Sequence, residues 1–545
     1  MLPRIALPVR AAGPAALLAL AALTSPAGAQ GSCQEALVAA SNPSLEARFG
    51  FSVAVDGDTV AVGAPFGNGA ATLSGVVYVY ERGPAGWIET AKLSAGDGAP
   101  GDGFGNELAL DGDRLLIGSV WKDGPGVDSG AAYLFERGPG GWAEAQKLLP
   151  SDHAPQDWYG RAVALDGDRL LVGASLKADP AFATGATYVY ERSGGTWNQT
   201  AKLSASDGAG DDFFGGSLDL DGDRILVGAH GADDLAEESG GAYVFDLVGG
   251  TWVETVKLIA ADGKANDDLA VEVALAGDVA LLASFGDDEA GPDAGSVYVF
   301  ELGPGGWAET DELTASDADA ADGFGSGLAL DGDLAVVGAW YDDDGATDAG
   351  AAYVFSRAGG SFAEVAKIAG ATTGGFAGFD VAVSGTTVVS GAPEAASPLP
   401  FAGEVGLHGV DPGGSFAACP PWLSLAAGGA QTLRVEAGAG FASQLYFVAG
   451  SASGTAPGFL YQGVAVPLNP DFYFLFGVSH PGAAPLGGSF GPLDGAGSAS
   501  ASFALPAGFD PTLAGTKLHH AALLLDPLQL TALASTEAEP LALVP

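Results

Sequence analysis

Residues 104–118 read FGNELALDGDRLLIG, and this stretch sets the architecture. Glu107 to Leu110 alternates apolar and polar side chains, Asp111-Gly112-Asp113 is a tight-turn signal between alternating runs, and Arg114 to Gly118 returns as an almost wholly apolar strand. Beyond a loop, Ala131 to Glu136 gives a third strand with Tyr133 and Phe135 on one face. Gly138 to Gly141 then turns the chain into a fourth, Trp142 to Leu148. Four antiparallel strands with polar loops make one unit of a β protein.

The unit recurs. Trp87, Trp142, Trp197, Trp252 and Trp307 stand 55 residues apart, with Phe362 in the next place. Tyr78, Tyr133, Tyr188, Tyr243, Tyr298 and Tyr353 keep the same step, as do Phe49, Phe104, Tyr159, Phe214 and Phe324. The fifth unit departs most, with Leu269-Ala270 in place of Phe-Gly, and the seventh is cut short after Phe416. Four-stranded units at a fixed period predict propeller blades, with a linear solenoid as the other arrangement. Complementary ends favour a closed ring: Glu35 to Ser41 looks like the end of a fourth strand, which the seventh unit lacks. The predicted fold is all-β, a seven-bladed β-propeller over 30–419 followed by a small β-sandwich-like domain over 420–545.

Two cysteines bear on closure. Laying Leu37 on Leu93 puts Cys33 at the place of Glu89, and laying Phe416 on Trp87 puts Cys419 at the place of Thr90. The two then fall side by side in one composite strand, predicting a Cys33–Cys419 disulfide, with free buried thiols as the alternative. In the chain-entropy account such a bridge contributes about 5–6 kcal/mol at most. An oxidising compartment agrees with residues 1–29, which read as a secretory signal: Arg4 and Arg10, the apolar run Ala15 to Leu23, then Ala27-Gly28-Ala29. No later apolar run is long enough to span a membrane, so the expected location is secreted, cell-surface or periplasmic.

The units resemble FG-GAP repeats, the blades of the integrin α N-terminal propeller. The resemblance rests on Phe49-Gly50 with Gly63-Ala64-Pro65, and on Gly391-Ala392-Pro393; other units relax the second signature, as in Gly118-Ser119-Val120. It implies a binding or adhesion role. Calcium-binding members hold the ion in a D-x-D-x-D-G-x-x-D loop, whereas the matching places here are only Asp111-Gly112-Asp113, Asp166-Gly167-Asp168 and their equivalents, which read as hairpin turns. Longer acidic loops carry the metal candidates Asp317, Asp319 and Asp322, and Asp342, Asp344 and Asp348. Calcium is the one cofactor they suggest; solvated acidic loops are the ordinary reading.

Charge sets the partner classes. With 67 Asp and Glu against 21 Lys and Arg, the formal net charge is −46, which disfavours nucleic acid and anionic lipid surfaces. In a meander, the loop between second and third strands and the loop between blades share one face. Counted from residue 97 to 348, 28 of the acids fall there, a face suited to an extracellular protein or glycan ligand with basic character.

Catalytic signals are sparse. Gly487-Gly488-Ser489-Phe490-Gly491 fits G-x-S-x-G but lacks a following helix signal, and His519-His520 are neighbours in a strand-like run, facing opposite ways. The segment after 420 resembles C-terminal β domains of exported bacterial proteins, which implies no activity. The sequence therefore reads as a non-catalytic binding or adhesion module. An extracellular carbohydrate-active enzyme and a structural envelope or matrix component are the alternatives. An axial pocket with converging carboxylates would favour the enzyme.

Overall fold

The computed structural model describes residues 32–410, except 84, 85, 180, 397 and 398, together with strand segments between 416 and 544. Residues 1–29, read above as a secretory signal, lie outside the described residues. Seven four-stranded antiparallel sheets follow one another, six of them meanders and the seventh completed by the first strand of the chain. In the second blade Phe104–Asp111, Arg114–Ser119, Ala131–Gly138 and Gly141–Leu148 pair in that order, with Asp111 opposite Arg114 across the Asp-Gly turn. The chain is an all-β, seven-bladed propeller. No helix among the described residues is long and apolar enough to cross a membrane.

Sheet-on-sheet packing uses the periodic residues. Phe104 is fully buried and meets Tyr133 edge to face at 5.5 Å, and the pairs Phe49–Tyr78, Tyr159–Tyr188, Phe214–Tyr243 and Phe324–Tyr353 repeat that geometry at 5.4 to 5.6 Å. Leu269 fills the same place in the fifth blade, while Ala270 takes φ 70°, where most blades supply glycine. That conformation is strained for a residue with a Cβ, by about 1 kcal/mol or more. The glycine opposite each Phe-Gly pair is a matter of space: a Cβ on Gly173 would lie 2.1 Å from Gly215 O in the next blade. Tryptophans of the outer strands lie under guanidinium groups, as with Arg114 over Trp197 at 5.5 Å and Arg224 over Trp307 at 5.2 Å.

Ring closure follows the expectation with a corrected register. Ser32–Val38 is the outer strand of the last blade, antiparallel to Glu404–Val410. Val38 pairs Val405 as Leu93 pairs Val77, so Val38 stands at the place of Leu93. The 55-residue step demands that match, and the alignment through Leu37 was one residue off. Cys33 therefore stands opposite Gly409, at the place of Ile88. Phe416–Cys419 does not extend this strand but pairs with Gly429–Glu436, so no composite strand forms among the described residues. The side chains of Cys33 and Cys419 lie outside the described residues.

Beyond residue 410 the strands form two further sheets and a short hairpin. They include Gly429–Glu436, Leu445–Ser451 and Ser498–Leu505. Of the G-x-S-x-G stretch, Gly487 ends the short strand Leu486–Gly487 and Phe490-Gly491 lies in Phe490–Pro492, while Gly488 and Ser489 lie outside the described residues; His519-His520 lies within the strand Lys517–Leu525.

Candidate functional site: an axial pocket on the loop face

After each Phe-Gly pair the backbone enters the inner strand at the ring axis. The next residue projects onto the axis in six blades: Phe51, Asn106, Arg161, Val271, Ser326 and Phe379. One residue further on come Glu107, Glu272 and Asp380. Val120, Trp121, Phe285 and Trp340 join from the ends of second strands, and Trp158 from an interblade loop. Together they bound a cavity of about 290 Å³. Starts of first strands and ends of second strands share one edge of a meander, so the pocket lies on the same face as the long loops.

Its charges are arranged around one guanidinium, Arg161. Burial pushes the Glu107 carboxyl well up, reinforced by Asp380 and Glu272 and opposed by Arg161. Glu272 rises to about 7, by burial against the pull of Arg161. Asp380 also rises to about 7 through burial, although its carboxylate accepts the amides of Val53 at 2.6 Å and Val381 at 2.8 Å. Nearby, burial and Arg161 lower His230 to about 4, so that ring is neutral at pH 7; it stacks on Phe213 at 5.0 Å. Aromatic walls with one cation and carboxyls that exchange protons near neutrality suit a small polar group with an apolar face.

At the other end of the axis the acids are structural. Asp56, Asp111, Asp166 and Asp221 each accept the hairpin glycine amide of the following blade, namely Gly112, Gly167, Gly222 and Gly277, at 2.5 to 2.7 Å. Asp331 does the same for Gly385 at 2.6 Å, and Ser384 accepts from Gly57 at 3.1 Å to join the last blade to the first. The Asp-Gly stretches are hairpin turns, as their shortness for ion binding implied, and they also clasp neighbouring blades, which the sequence reading did not foresee. Ala276 breaks the series in the fifth blade.

The acidic loop face is less free than counting suggested. Asp97, Asp152, Asp207, Asp262 and Asp317 accept the hydroxyls of Tyr133, Tyr188, Tyr243, Tyr298 and Tyr353 at 2.6 to 3.2 Å. Asp102, Asp157, Asp212, Asp267 and Asp322 are buried and each accepts the amide three residues earlier. Ten of the counted acids therefore hold loops in place. Of the metal candidates, Asp317, Asp342 and Asp344 come together, but around Lys367, whose Nζ lies 2.9, 2.7 and 2.8 Å from them. Asp319, Asp322 and Asp348 are not in that group.

Sequence reasoning missed the axial residues Phe51, Glu107, Arg161, Glu272 and Asp380. The usable signal was irregularity: the two positions after the constant Phe-Gly pair differ from unit to unit while their surroundings repeat. No curated protein matches the chain significantly. FG-GAP repeats match residues 33–80, 87–135, 142–190, 197–245, 252–300 and 307–355, more than half of the chain. With seven blades closed by the first strand, and with these six matches in register with the 55-residue step, the chain belongs to the FG-GAP repeat family.

Proposed function

We propose that the protein is an exported, non-catalytic binding module of the adhesion type, which takes an extracellular protein or glycan ligand on its loop face. The observation that carries this reading is the aromatic-walled axial pocket opening among those loops. Trp121, Trp158 and Trp340 offer flat apolar surfaces, and Arg161, Asn106 and the carboxyls offer directed polar contacts, a combination that suits a sugar ring or a protruding polar side chain. The remaining exposed acids around the rim favour partners carrying positive charge.

A carbohydrate-active enzyme is the second reading, favoured by the convergence of Glu107, Glu272 and Asp380 in that pocket, since two carboxyl groups suffice for glycoside hydrolysis. A glycan and protein array probed with the full chain, followed by product analysis on every hit, separates the two. Reproducible binding that Trp121→Ala weakens by about tenfold or more, without bond cleavage, supports the module. Cleavage that Glu107→Gln or Glu272→Gln abolishes would replace it with the enzyme.

A further inference from the structure

One place in each blade lies between the long loops, where the outer strand passes the buried tyrosine. In five blades it carries lysine: Lys92, Lys147, Lys202, Lys257 and Lys367. The ammonium neutralises the loop carboxylates around it. Lys202 Nζ lies 2.8 Å from Asp152 and 2.7 Å from Asp179, and Lys257 Nζ lies 3.1 Å from Asp207 and 2.5 Å from Asp234. The sixth blade gathers three carboxylates about Lys367.

The fifth blade keeps the carboxylates and reverses the charge. Asp262, Asp287 and Glu289 stand where the sixth blade has Asp317, Asp342 and Asp344, and Tyr298 donates to Asp262 at 3.2 Å and Asp287 at 3.0 Å as Tyr353 does in its own blade. Glu312 replaces the lysine. Oxygens of Asp262, Glu289 and Glu312 lie within 4.8 Å of one another, and the one cation beside them among the described residues, Lys264, is an exposed side chain 3.5 Å from Glu289.

A second feature is independent of the acids. Ser296 is fully buried, and its Oγ, beside Glu312, has no hydrogen-bond partner. Glu312 Oε1 is likewise shielded and unpartnered. The corresponding positions in regularly spaced blades are Val76, Ala131, Ala186, Gly241 and Ala351, so the hydroxyl arrives in the same blade as the glutamate. Two buried oxygens that meet no hydrogen-bond partner, beside three further carboxylates, suit a cation that can take all of them at once.

We propose that the fifth blade binds a calcium ion among Asp262, Asp287, Glu289, Glu312 and the hydroxyl of Ser296. The ligand set is all oxygen and charge-rich, which selects a hard cation. Calcium accepts six to eight oxygens at about 2.3–2.6 Å in flexible geometry, and oxygens of Asp262, Glu289 and Glu312 already stand close enough together to share one ion. The site lies between loops and an outer strand, away from the Asp-Gly hairpins and from the axial pocket. In it the ion does what the lysine ammonium does in the neighbouring blades.

The test is a calcium titration of the full chain by calorimetry, with thermal melting in chelator and in millimolar calcium. The expected result is one calcium per chain, a melting temperature that rises with calcium, and a Glu312→Lys variant that binds none and melts in chelator at or above the wild type. Ser296→Ala is expected to weaken binding by about tenfold. Should Glu312→Lys not fold, Glu312→Gln takes its place, with an expected loss of at least about tenfold in affinity. The proposal is overturned by a wild-type chain whose melting ignores calcium, by unchanged binding in the Glu312 variant, or by an equal response to magnesium.

Discussion

The two ends of the ring axis are made by the same inner strands, yet one end repeats and the other does not. At the hairpin end Asp56, Asp111, Asp166, Asp221 and Asp331 perform the same task, each accepting an amide from the next blade. At the loop end the residue after each Phe-Gly pair runs Phe51, Asn106, Arg161, Gly216, Val271, Ser326 and Phe379. A residue that touches the next blade meets the same neighbour every time and has one good solution. One that faces the axis is held to the repeat less strictly: Asn106 and Ser326 still donate to Gly160 and Gly378 of the next blade, whereas Phe51, Arg161, Val271 and Phe379 vary in size and charge at the same place.

Substitutions at each end test that contrast. The largest effect is expected from Glu272→Gln at the loop end. In the folded chain Glu272 keeps its proton up to about pH 7, while the usual value for the unfolded chain is 4.5. The native state therefore binds more protons between those values, and stability falls as pH rises from about 4.5 to about 7, then levels. Glu272→Gln should flatten that decline and raise the melting temperature above pH 7, as followed by calorimetry across pH. An unchanged pH profile would mean that the axial acids carry no cost.

Asp111→Ala, at the hairpin end, should cost about 1 kcal/mol in denaturant unfolding, because Gly167 N then loses its acceptor to water. The binding hits of the wild type should survive it unchanged; if they disappear, the two ends are not separate in function. Smallest is Ala276→Asp, which restores the missing clasp to Gly332 in the fifth blade. A gain of about 0.5 kcal/mol is expected, and a loss would show that this blade has settled into a different hairpin geometry.

Much of this architecture could be read from the chain because the same residues answer the same packing problem every 55 positions. The Trp, Tyr and Phe ladders gave blade number, strand order and the idea of closure by the N-terminus. Register of the closing strand failed by one residue when Leu37 was matched by local likeness, whereas the period itself led to Val38. The acidic face was overread: charge counting treats Asp97 and Asp102 as free, but a tyrosine hydroxyl and a loop amide hold them. The axial pocket could not be read from the repeat, since its residues are the ones that escape periodicity and their convergence depends on distant segments of six blades meeting at a point. Glu312 is the intermediate case, a break in a lysine series that is visible in the sequence and acquires meaning only beside Ser296 and Asp287.

The strand that closes the ring also imposes an order on folding. Residues 32–38 leave the ribosome ahead of every blade, but their partner, Glu404–Val410, is the last propeller strand to be made. Until then the early segment has no place to dock and the seventh sheet has an open edge, a template for pairing with other chains. Joining strands so far apart in sequence makes closure a slow step, because the chain must lose loop entropy before the contacts return anything. Six blades can assemble as they emerge, each on its predecessor, while circularity waits for the whole array. Moving the first strand to the end of the propeller by circular permutation would turn this long-range search into a local hairpin.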